Sequence, residues 1–106
     1  DDAPASLSPA IITGLLRGEL AYDGVVITDN ITMKAVAARY SPEEAALRAV
    51  AAGADIILVS HEYEAAIAAY NAILRALNTG VIPMERIDAS VRRILRLKLA
   101  HEAAGK

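Results

Sequence analysis

Apolar residues along the chain fall into two alternating patterns. Ile11, Ile12, Leu15, Leu16 and Leu20 recur at helical spacing. Ser8-Pro9 ahead of them forms a start signal, with Ser as N-cap and Pro at the first helical position. Tyr22-Asp23-Gly24 breaks the pattern as a turn, and Val25-Val26-Ile27-Thr28 follows. That run is short, β-branched and without alternation, which is how a strand buried on both faces of a parallel sheet reads. Ser41-Pro42-Glu43-Glu44 predicts a capping box opening an Ala-rich helix with Leu47 and Val50, closed by Gly53 in a left-handed conformation. Ile56-Ile57-Leu58-Val59 is a second run of the buried-strand type. Ala66, Ile67, Tyr70, Ile73, Leu74 and Leu77 then form one helical stripe, ended by Asn78-Thr79-Gly80. Pro83 to Arg86 reads as a single turn, and Asp88 as the cap of a last helix carrying Val91, Ile94 and Leu95 inward, with a frayed tail from Ala103.

The order helix, strand, helix, strand, helix, helix predicts an α/β class with a parallel sheet and a right-handed crossover. Two strands buried on both faces cannot cover themselves and leave open edges. The pattern therefore predicts neighbouring strands that these residues do not supply.

Composition sharpens that expectation. The chain has 106 residues, the length of one small domain. It is 55% apolar, which excludes a disordered polymer, yet it has no Phe, Trp or Cys. A core so rich in Ala buries little area per residue. A net charge of −2 gives no reason to expect nucleic acid as a partner. The absence of Cys removes disulfides, thiolate catalysis and Cys-type zinc sites. No run of about 18 apolar residues predicts a membrane span. Asp1-Asp2-Ala3-Pro4 is unlike a signal peptide and lacks an initiator Met, so the chain is expected to begin after a cut or a boundary. A cytoplasmic location is expected, with an exported form left open.

Asp29 is the first candidate for chemistry, because it sits where an apolar strand stops. In a parallel α/β protein, and above all in a (β/α)8 barrel, that end of the strand faces the active site. A carboxylate there could be a nucleophile, a general base or a metal ligand, or else part of an Asp-Asn turn. Met33 fits the core or a place beside a ligand. Ser60 and His61 end the second strand and face the same side, although a His at a helix start also reads as a solvated cap. Two His without spaced carboxylates make no metal site. Arg92, Arg93, Arg96 and Lys98 read as a solvated helix face rather than an anion patch, and Glu43 and Glu44 as helix-start acids. No Gly-rich phosphate loop follows either strand, which argues against a flavodoxin-like or nucleotide-binding domain.

Several of these stretches together resemble glycoside hydrolase family three. Gly24-Val25-Val26-Ile27-Thr28-Asp29, with Met33 four residues on, is similar to the family's nucleophile strand. Pro4-Ala5-Ser6-Leu7-Ser8 is similar to the stretch entering the preceding helix. Leu16-Arg17, Glu19-Leu20 and Tyr22-Asp23-Gly24 resemble the approach to that strand. Ala52-Gly53-Ala54-Asp55-Ile56 resembles the start of the next strand. Arg86-Ile87-Asp88, Ser90-Val91 and Arg93-Ile94-Leu95 resemble the closing helix. Asn30 in place of an aromatic residue after the Asp, and the lack of Trp, lean toward the β-N-acetylhexosaminidase branch.

The resemblance implies that residues 1–106 are the C-terminal βα units of a TIM-type barrel, about strands seven and eight with flanking helices, incomplete in this chain. It implies a retaining glycosidase with Asp29 as nucleophile, acting on terminal β-linked N-acetylglucosamine through a covalent glycosyl-enzyme and needing no cofactor. Met33, Ser60 and His61 would lie beside the sugar. The branch's acid/base, a His-Asp pair on a loop, and its Lys-His sugar-binding motif are not in this sequence. The isolated chain is accordingly expected to be inactive. A phosphorylase or a β-glucosidase of the same family is an alternative reading. A further one is a non-catalytic barrel fragment that self-associates or joins the missing N-terminal part.

Overall fold

A computed structural model of the chain describes residues 7–32, 34–59 and 63–104. Within them five helices occur in order: π1 (Ala10–Glu19), α1 (Lys34–Ala37), α2 (Pro42–Ala52), α3 (Tyr63–Asn78) and α4 (Met84–Ala104). None of these helices is long and apolar enough to cross a membrane.

The two predicted strands are extended segments, 25–28 and 56–59, that run parallel and touch at one bridge, Ile27 opposite Ile56. Val26 O accepts from Asp55 N at 2.9 Å and Ile56 N at 3.2 Å, and Ile56 O accepts from Thr28 N at 3.0 Å. Among the described residues no longer ladder forms. The expected burial on both faces also fails: Ile27 is 56% and Leu58 46% exposed, while Thr28 and Val26 face the core. The apolar runs are uncovered on one side because no further strand packs there among the described residues.

Helix α2 forms largely as its signals dictate. Ser41 is extended and its hydroxyl accepts from Glu44 N at 3.1 Å. The reciprocal half of the capping box gives way to an ion pair, with the Glu44 carboxylate held by Arg48 one turn on at 3.1 Å. Gly53 ends the helix at φ 116°.

The helix-on-helix core differs from the predicted stripes. In α3 the buried residues are Ala65, Ala69, Ala72 and Ala76, whereas Tyr70 is 66% exposed and Ile67 and Leu74 also face out. Ala69 joins the cluster of Ala45, Ala46, Ala49 and Ala52 of α2, which are completely buried, and Ala76 packs with Val50 of the same helix. Small side chains let the two helices pack against each other, and of the predicted stripe Ile73 and Leu77 stay half-buried against the core beside the alanines. Leu7, Ile12, Ile31 and Val36 close one end of this cluster, and Val50, Ala76 and Ile82 form a second.

Three further corrections follow from geometry. Asp88 caps nothing: α4 runs unbroken from Met84. Val91 and Leu95 of α4 are exposed while Ile94 is half-buried, and the inward side carries Ile87, packed on the second cluster, beside Arg86, Ser90 and Arg93, spaced i, i+4 and i+7. In the first helix Leu15 and Leu20 are exposed and only Ile12 is buried. Its N–H groups reach five residues back, as Leu20 N does to Leu15 O at 2.9 Å, and Ser8, Ile12 and Arg17 lie to the inside while the exposed Thr13 donates its hydroxyl to Ala52 O at 2.8 Å. Ser8 supplies the expected start, its hydroxyl accepting from Ile11 N at 3.3 Å.

The left-handed turn at Gly53 lies directly under π1. A Cβ there would meet Thr13 Oγ1 at 2.9 Å and Ile12 Cγ2 at 3.0 Å. Gly53→Ala adds that clash to a left-handed strain of about 1–2 kcal/mol. Equilibrium denaturation should show a loss of at least this size, whereas Gly80→Ala, with open space around it, should lose only the strain.

Candidate functional site

At the lower end of the two segments lies a buried charge cluster. The Asp55 side chain is fully buried. Its Oδ2 accepts from Arg17 Nη2 at 2.8 Å and Val26 N at 3.0 Å. Its Oδ1 accepts from Ser90 Oγ at 2.6 Å and Arg93 Nη1 at 2.9 Å. Arg86 stands behind Ser90. It donates to Ser90 Oγ at 2.6 Å, to Val50 O at 3.0 Å and to Ala54 O at 2.5 Å, holding the end of α2. Arg17 also donates to Tyr22 O at 3.0 Å and Gly24 O at 2.6 Å, fixing the turn into segment 25–28. Among the described residues no buried side-chain polar atom lacks a partner.

Burial pushes the Asp55 carboxyl up, but hydrogen bonds from Ser90, Val26 N and Arg93, with the Arg93 charge, outweigh it and hold the group below the usual carboxylate range. Burial pushes the Arg86 guanidinium down; Asp55 pulls it up, and Arg93 and Arg17 add to the lowering. The expectation that Arg92, Arg93, Arg96 and Lys98 form one solvated face is therefore wrong for Arg93, which turns inward to Asp55. Arg96 stays outside, 3.0 Å from the exposed Asp23.

Asp29 lies at the opposite, upper end of the pair. Its neighbours are held. Thr28 is 3% exposed, donates its N–H to Ile56 O and accepts from Leu58 N, at 3.0 Å, through its hydroxyl oxygen. Asn30 Oδ1 accepts from Thr32 N at 3.0 Å and Thr32 Oγ1 at 2.7 Å in an Asx turn. Ile31, buried, donates to Leu58 O at 2.9 Å. Asp29 itself is exposed, on a backbone pinned before and after it. Met33, Ser60 and His61 lie outside the described residues. Among the described residues no group of three or more His, Cys, Asp or Glu could hold a metal.

The sequence pointed to Asp29 through the end of an apolar run. It did not point to the Asp55 cluster, although a signal existed. Arg86, Ser90 and Arg93 share one face of α4, and Asp55 stands at the start of an apolar segment, where a lone carboxylate needs cationic partners.

Comparison with known proteins places these elements. The family described as Glycosyl hydrolase family 3 N terminal domain matches residues 1–97. A solved β-N-acetylglucosaminidase of this family from Paenibacillus sp. str. FPU-7 superposes with a TM-score of 0.90 at 55% identity, covering 93% of this chain and 19% of that one. The beta-hexosaminidase LpqI of Mycobacterium tuberculosis is 36% identical over 97% of this chain and 28% of its own length. A Cellulomonas fimi protein named beta-N-acetylglucosaminidase/beta-glucosidase is 34% identical over 92% of this chain and 17% of its own. The chain thus spans well under a third of each.

Because the Asp55 carboxyl sits below its ordinary value, its ionised form adds stability that is complete above about pH 4 and lost as pH falls through the lowered folded value. Asp55→Asn should therefore unfold more easily than the parent at neutral pH, by about 3–5 kcal/mol where the arginines are left without a counter-charge. The gap should narrow on acidification below pH ~4 in a denaturant series. A gap that does not change with pH would mean the carboxylate charge is not what holds the cluster.

Proposed function

The chain belongs to glycosyl hydrolase family 3, and from that premise we propose that it is the nucleophile-bearing part of a retaining β-N-acetylhexosaminidase. Asp29 is the nucleophile. Its carboxylate attacks the anomeric carbon of a terminal β-linked N-acetylglucosaminide, the bond to the aglycone oxygen breaks, and a glycosyl ester forms on Asp29. Water then attacks the same carbon, releases the sugar and returns the carboxylate. The proton that the departing oxygen takes, and the base that later activates water, come from groups beyond this chain. Met33, Ser60 and His61 are assigned to the rim of the sugar site.

The observation that carries this reading is the exposed Asp29 on an anchored backbone, at the end of a parallel segment where barrel enzymes place reactive groups. The activities that the Paenibacillus and Mycobacterium relatives are named for support the sugar. The double name of the Cellulomonas relative supports glucosides as a second substrate class. Aryl N-acetylglucosaminides and aryl glucosides compared on one preparation separate the two, and assays with and without phosphate separate hydrolysis from phosphorolysis.

In the enzyme that carries this segment, Asp29→Asn should reduce turnover by at least about three orders of magnitude while thermal unfolding stays near the parent value. Retained turnover sinks the assignment. We further assign residues 1–106 to the C-terminal βα units of the barrel. Assayed alone on an aryl N-acetylglucosaminide, the chain should show no family-like turnover, because the proton donor is missing. Efficient turnover would overturn that assignment.

A further inference from the structure

The hydrogen bonds between the two extended segments do not continue as a parallel ladder should. From the bridge at Ile27 and Ile56, a regular parallel pair would next place Leu58 N on the Thr28 carbonyl, and then Asn30 N on the Leu58 carbonyl. Neither bond is made in that form. Leu58 N donates instead to the Thr28 hydroxyl oxygen, at 3.0 Å. The Leu58 carbonyl accepts from Ile31 N at 2.9 Å, one residue later than the register requires. One extra residue is therefore accommodated between Thr28 and Ile31, a bulge in the first segment at Asp29-Asn30. Bulges of this kind bend a strand and re-aim a side chain, and they concentrate beside active sites.

The Thr28 side chain makes the bulge affordable in hydrogen-bond terms. Its hydroxyl stands in for its own backbone carbonyl, so Leu58 N keeps a partner although the ladder has slipped. The Asn30 side chain, tied to Thr32, closes the other side. Asp29 lies between these two anchors, and its side chain alone of the group is exposed and without a partner among the described residues.

We propose that Thr28 is a positioning residue for Asp29: by replacing a main-chain acceptor with its hydroxyl, it holds the one-residue bulge that presents the Asp29 carboxylate. This rests on the nucleophile reading above. Without the hydroxyl, Leu58 N either goes unpaired or returns to the Thr28 carbonyl and draws the bulge back into register. Both outcomes move the Asp29 carboxylate, and a displacement of about 1 Å costs on the order of 100-fold in rate.

The test uses the enzyme that carries this segment, with aryl N-acetylglucosaminide as substrate. Thr28→Val keeps the shape and removes the acceptor. It should lower kcat about 100-fold while KM changes less than about threefold. Thr28→Ser, which keeps the hydroxyl, should retain most of the parent kcat. Thermal unfolding checks both for folding. Should Thr28→Val not fold, Thr28→Cys, similar in size with a weak acceptor, carries the same expectation. Parental kcat in the Val or Cys variant overturns the proposal, and so does a Ser variant as slow as the Val variant. Asp29→Asn assayed alongside separates the two ideas. If it is active, the nucleophile reading fails. If it is inactive while Thr28→Val is unimpaired, only the positioning role fails.

Discussion

One buried carboxylate ties together parts of the chain that are far apart in sequence. Asp55 accepts from π1 through Arg17, from segment 25–28 through Val26 N, and from α4 through Ser90 and Arg93. Taking such a charge out of water is costly, and only a full set of donors offsets it. The cluster therefore acts as a geometric condition: unless these four groups arrive together, the lower end of the segment pair has a desolvated ion with nothing to balance it. Arg86 extends the condition to α2 by holding Val50 O and Ala54 O. The apolar core is built mainly of alanine, which contributes little burial per residue, so this polar anchor specifies an arrangement that packing alone would leave loose.

Features governed by local chemistry were legible in the sequence. The Ser41 cap, the left-handed Gly53 and the two apolar segments stand where residue type predicts them. Features set by what faces what were less legible. The stripe of large apolar residues on α3 is only partly the core face: Ile73 and Leu77 pack inward, but Ile67, Tyr70 and Leu74 reach solvent and alanines fill the buried row beside them. On α4 Ser90 and Arg93 turn inward because they answer Asp55, next to Ile87, which packs on an apolar cluster. In π1 the spacing itself changes, so counting by the α-helical period picks the outer face.

The candidate site was legible in the same partial way. Asp29 follows from its place at the end of an apolar run. That its backbone is pinned on both sides is visible only once Thr28, Asn30 and Ile31 are seen to bond elsewhere. The anchor at Asp55 and the exposed Asp29 occupy opposite ends of the segment pair. The same few residues thus connect the buried ion cluster to the exposed carboxylate.

The alanine seam between α2 and α3 reverses the usual guide to which positions matter. Hydrophobicity would rank Tyr63, Ile67, Tyr70 and Leu74 above their small neighbours, yet these residues reach solvent in this chain. Ala45, Ala46, Ala49 and Ala52 are completely buried, and added bulk at any of them must displace packed neighbours. Variation among related chains should accordingly be narrowest where the side chains are smallest, and a substitution that looks conservative by polarity can be the most disruptive one by volume.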